Sequence, residues 1–207
     1  MMRRRFTRPG STNNAFTDLL FNTLLGFAFM FLIAFILMAE PNKQGNVTVK
    51  AEFLITINWP DGHPDDIDVL VEDPAGVVLW FDNKDTGTMH LDRDDRGAVQ
   101  DQMMINGKMV TNPINQESVS VRAWIPGEYV VNILHYNANY NEPVPVSVKV
   151  EKLNPVVTLV YYGVHSLNRA GMEVTATRFV LDNSGAVAST SGLPKALLTQ
   201  ITSGKGP

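Results

Sequence analysis

The chain has 207 residues with 17 Lys and Arg, 21 Asp and Glu, no Cys and 44% hydrophobic residues, which is the composition of a folded protein and not of a disordered one. Its charge is segregated: Arg3, Arg4, Arg5 and Arg8 precede the first acid, Asp18, whereas thirteen basic and twenty acidic residues follow residue 39, a formal charge of −7. The absence of cysteine excludes a thiol nucleophile and a disulfide framework, and an acidic main portion behind a short arginine cluster argues against nucleic-acid binding.

Residues 1–14 read as a basic amino-terminal segment suited to anionic lipid headgroups. Residues 15–39 predict a transmembrane helix. Between Leu19 and Ala39 the only polar residues are Asn22 and Thr23, and such a stretch makes about 31 Å of helix against a hydrocarbon core of about 30 Å. The start "RRRFTR" is similar to a twin-arginine export signal. The apolar run, however, exceeds a signal's usual ~7–15 residues, and its end, "ILMAEP", lacks a small-x-small cleavage pair, so a retained anchor is expected. The arginines ahead of the span place the amino terminus in the cytoplasm and the rest in the periplasm, a single pass through a bacterial inner membrane.

Asp18 has two readings. In one, Thr17 is the N-cap and Asp18 sits in the first turn, where a carboxylate meets the helix dipole favourably by ~0.3–1 kcal/mol. In the other, Asp18 is an ionisable group at the edge of hydrocarbon. Such groups face a partner helix or a water-filled path, and a carboxyl group held away from water can take up and release a proton as its surroundings alternate. Helical spacing places Asp18, Asn22, Leu25, Phe29, Leu32 and Ile36 on one stripe, with Gly26 beside it.

A basic start, one helix opening on the aspartate of "FTDLLFNTLL", and an exported carboxy-terminal part together resemble the B-type subunits of proton-driven rotary motors, the ExbD/TolR and flagellar MotB-like group. The resemblance covers residues 1 to about 40. It implies that Asp18 binds the proton and that two copies of the helix, a self-dimer to which the exported domain can add contacts, stand inside five polytopic A-type subunits. Thr17 and Asn22 are supporting polar residues of the helix with no role carried over. No peptidoglycan-binding signature of the flagellar kind follows, and the exported part is larger and richer in strand signals than the small domain of ExbD/TolR.

Residues 40–46 read as a linker. Nine β-branched or aromatic-rich runs then follow at 47–59, 67–73, 76–82, 88–92, 118–125, 128–136, 144–153, 156–164 and 172–182, most alternating with period two and bounded by turn residues. They predict an all-β antiparallel sandwich over 47–184, so the expected fold is a single amino-terminal transmembrane helix followed by that sandwich. "DPAG" at 73–76 is a type I turn sequence. Alternation points Val69, Val71, Val119, Val121, Tyr129, Val131, Ile133, Val146, Val148 and Val150 inward. The stretches "ITINWPDGHPDDIDVLVEDPAGVVLWFDN" and "PGEYVVNILHY" resemble bacterial extracytoplasmic β-sandwich modules over about 55–152, which implies a fold and an interaction role toward an envelope protein or glycan. Residues 185–207, small and polar, read as a flexible tail.

Two acid-rich loops, "DGHPDDID" and "DNKDTGTMHLDRDDRG", read as solvated turns, since Asp and Asn are ordinary turn formers and neither loop has EF-hand spacing, with Asp66, Asp68, Asp92 and Asp94 as candidate Ca²⁺ ligands the alternative. The four histidines lack zinc spacing. No G-x-S-x-G, Walker A or G-x-G-x-x-G occurs. The expectation is therefore a non-enzymatic protein without a cofactor: a motor subunit, or else a passively anchored binding or adhesion module with no ion coupling.

Overall fold

The structure, a computed structural model, describes residues 12–38, 50–97, 99, 101–140 and 142–203, with helix side chains described over 15–35. It divides into two units, Met1–Thr48 and Val49–Pro207. The 40–46 linker, the start of the first strand run and residues 1–11 lie outside the described residues.

The first unit is one helix, α1 (Thr12–Met38), within which Ala15–Phe35 is long and apolar enough to cross a membrane. Its 21 residues make about 31 Å of helix, and every described side chain on it is exposed. The helix begins five residues ahead of Thr17. Thr17 is thus an interior residue and not the N-cap, and no acid lies in the first turn. The sequence accounts for this correction: the nearest breakers, Pro9 and Gly10, lie further upstream, and Ala15 and Phe16 carry the helix on without interruption.

The second unit is an antiparallel sandwich of β1 (Phe53–Trp59), β2 (Asp66–Glu72), β3 (Val78–Leu79), β4 (Met89–Arg93), β5 (Gln102–Ile105), β6 (Lys108–Thr111), β7 (Asn115–Val121), β8 (Gly127–Asn137), β9 (Val144–Lys152), β10 (Thr158–Leu167), β11 (Glu173–Leu181) and β12 (Val187–Ser191), closed by a short helix α2 (Leu198–Thr202). One sheet runs β10-β9-β1-β7-β4 and the other β12-β11-β8-β2-β3. Because side chains alternate across a strand, Phe53, Ile55 and Ile57 of β1 meet Ile67, Val69 and Val71 of β2 between the sheets, and all of the expected inward valines are buried. Phe179 stacks on Phe53 at 5.7 Å and on Tyr129 at 5.1 Å. The Tyr129 hydroxyl also accepts a hydrogen bond from the Ile125 N–H at 2.9 Å, tying the start of β8 to the chain before it. The Asp73 carboxylate holds the 73–76 turn, accepting from the N–H groups of Ala75 and Val77.

Three features depart from the expectation. The 76–82 run yields only the two residues of β3, which leaves most of one edge of β2 without a strand neighbour. The hairpin β5–β6 was not foreseen: it turns at Asn106 (φ 50°) and Gly107 (φ 76°), the left-handed pair that a tight hairpin needs, and both strands are exposed throughout. Over its described residues, 185–203, the expected tail is folded. β12 pairs with β11, and Leu197, Leu198 and Ile201 cover Leu70, Val130 and Leu134 on the outer face of the second sheet. Glu173 accepts from the Leu197 N–H at 2.7 Å, Asn132 Nδ2 donates to the Lys195 carbonyl at 2.6 Å, and the Lys195 ammonium pairs with Glu72. Small polar composition therefore concealed one apolar patch with a matching surface to land on.

Candidate functional site

On α1, Asp18 is the one charged residue. It is the seventh residue of the helix and the fourth of the span, and the dipole's influence fades within the first turn. Dipole compensation therefore does not account for it. Thr23 satisfies its own hydroxyl by donating to the Leu19 carbonyl at 2.7 Å. Asp18 and Asn22, one turn apart on the same stripe, have no hydrogen-bond partner among the described residues. In lipid such groups require partners from another chain or from water.

The sandwich holds a second constellation. Asp68 on β2, Asp94 just past β4 and Glu117 on β7 each place a carboxylate oxygen within 4.8 Å of the others. Glu117 occupies an inward position of β7, in step with Val119 and Val121, and reaches the other sheet to accept the Val69 N–H at 2.7 Å. It thereby supplies the acceptor that a full-length β3 would have provided to the edge of β2. Asp68 is 3% exposed and Glu117 1%. The Oδ2 of Asp68 and the Oε1 of Glu117 accept no hydrogen bond among the described residues. Lys84 donates to Asp94 at 2.5 Å. A cleft of about 170 Å³, lined by Asp66, Asp68, Phe81, Asp94, Arg96 and Tyr136, opens onto the group.

The carboxylates repel one another. Burial, then the neighbouring Asp94, pushes the Asp66 carboxyl up to about 6; burial, then Asp66 and Asp94, pushes Asp68 up to about 8. Burial and Asp68 raise Glu117 well above the ordinary glutamate value, against the opposing Val69 hydrogen bond. Two contacts fix this geometry. Asp65, fully buried, accepts from His135 Nε2 at 2.9 Å and from the Asn139 and Tyr140 N–H groups at 2.6 and 3.2 Å, which pins the start of β2. Gly97 (φ 63°) lies so close to the Asp65 carbonyl that a Cβ there would stand 2.5 Å from it, and this draws the Asp94–Arg96 segment against β2.

Of the acids singled out from the loops, Asp68 and Asp94 come together and Asp66 lines the adjoining cleft. Asp92 does not join them: it is exposed and 3.4 Å from Arg122, because it is the unpaired residue of a β-bulge between Leu91 and Arg93, which shifts the alternation between Asp92 and Asp94. Asp95 is occupied by Arg93 at 2.7 Å. Glu117 was missed. Its signal was a lone acid at an inward position of an otherwise apolar alternation, "NQESVSV". Compared with family models, curated proteins and solved structures, the chain matches none of them.

Proposed function

We propose that the chain is a B-type subunit of a proton-driven membrane motor, with Asp18 as the proton-binding carboxylate and the periplasmic sandwich engaging an envelope protein or glycan by binding and force transmission, not catalysis. The observation that carries this reading is the position of Asp18, six residues into a membrane-length helix and without a hydrogen-bond partner among the described residues. Asn22 on the same stripe supports it, since a second unpaired polar group in lipid calls for a neighbouring helix on that face. The arginines ahead of the helix orient the amino terminus to the cytoplasm. One charge moved through a potential of 100 mV is worth about 2.3 kcal/mol, enough to bias a step between two arrangements of the complex.

Gentle extraction of the tagged chain from its own membranes, followed by native mass measurement, tests the assembly. Two copies of this chain with five copies of a polytopic protein are the expected result. A species containing this chain and no polytopic subunit overturns the motor and leaves an anchored binding module.

A further inference from the structure

We propose that Asp68, Asp94 and Glu117 hold a divalent cation of the calcium class, which clasps the open edge of β2 to β7. The span of the three oxygens, 4.8 Å or less, suits such an ion, because oxygens bound at about 2.3–2.6 Å from one centre lie no more than about 5 Å apart. The two most buried members each keep one oxygen free: Asp68 Oδ2 and Glu117 Oε1, on residues 3% and 1% exposed, have no hydrogen-bond partner among the described residues. A buried carboxylate oxygen left unpaired is costly, and a cation is the partner such oxygens lack here.

Charge points the same way. Ligation requires the carboxyl groups to be ionised, and with Asp66, Asp68, Asp94 and Glu117 all ionised against Lys84 and Arg96 two negative charges remain, the charge of one divalent ion. The cleft of about 170 Å³ beside Asp66 and Asp68 gives the ion a route in and room for the waters that complete its shell of about 6–8 oxygens. The ion's mechanical role follows from β3, which is too short to cover β2 and leaves the Val69 N–H to be met by Glu117 from the other sheet. A competing arrangement would neutralise the same group with a proton shared between Asp94 and Glu117, and it predicts no response to calcium.

The test uses the full chain in detergent, stripped with EGTA and titrated with CaCl₂, with bound calcium measured by calorimetry and unfolding followed through the three tryptophans, all of which lie in the sandwich. The expected result is one calcium per chain and a rise in Tm of about 5–10 °C at a hundredfold excess over Kd. Glu117→Gln retains an acceptor for the Val69 N–H; it should unfold no earlier than wild type in EGTA, yet lose affinity at least about tenfold. Asp68→Asn should behave likewise, and Asp92→Asn should bind as wild type does. No bound calcium and no Tm shift at about 10 mM, above the weakest Kd of extracellular calcium modules, overturns the proposal, as does wild-type binding by both Glu117→Gln and Asp68→Asn.

Discussion

Asp65 illustrates how much one buried side chain can organise. Its carboxylate gathers a histidine ring and two backbone N–H groups, and its own carbonyl accepts from Trp59 Nε1 at 3.0 Å, so β1, β2 and the turn after β8 meet at one residue. Asp65→Ala leaves three donors without their acceptor, one of them on the fully buried His135, and should cost about 3–5 kcal/mol in urea unfolding followed by tryptophan fluorescence. Burial, the largest influence on this carboxyl, pushes it up. The Asn139 and Tyr140 N–H groups, His135 and His63 together outweigh burial and hold it below the ordinary aspartate value of 3.8. A carboxyl lowered on folding adds stability above the unfolded-state value and loses it as pH falls through the folded one. Wild type should therefore lose stability below about pH 4 more steeply than Asp65→Asn. Equal acid slopes for the two proteins would remove Asp65 from this role. At this scale the sequence was a partial guide. It marked "DGHPDDID" as acid-rich, but assigning Asp65 to the scaffold and Asp68 to the cluster required knowing that β2 begins at Asp66 and where each carboxylate then lands.

Strand alternation was the most readable property of the elements. β1, β2, β8, β9, β10 and β11 coincide with β-branched runs, and β7 overlaps its run over 118–121, because one face of each meets a packed layer. Elements without that contrast escaped notice. β5 and β6 are exposed on both faces, so only the Asn106-Gly107 turn marks them, β12 is made mostly of small polar residues, and α2 is only five residues long. The carboxy-terminal element is nevertheless structural. Leu197 is fully buried against Leu70, Val130 and Leu134. Leu197→Ala should cost about 2–4 kcal/mol in the same unfolding measurement, and ending the chain at Gly192 should expose that apolar face and lower Tm further. A truncated protein as stable as wild type would mean that the outer face needs no cover.

For the molecule as a whole, the two units answer to different solvents. The sandwich buries its apolar residues between its own sheets, whereas α1 leaves every described side chain exposed and finds its apolar surroundings in a bilayer. That division was legible from composition alone, since a 21-residue apolar run and an alternating β pattern are the two strongest signals a chain can carry. What α1 does there was less legible: sequence permits Asp18 to be a helix-start residue, and only the helix's actual beginning at Thr12 removes that explanation. The most direct test of the proposed function reconstitutes the purified complex into liposomes and measures proton uptake driven by an imposed potential, for wild type and for Asp18→Asn, which keeps size and polarity but carries no titratable proton. The account predicts that the variant assembles like wild type and that its proton uptake falls to that of empty liposomes. Uptake by Asp18→Asn at the wild-type rate would contradict it.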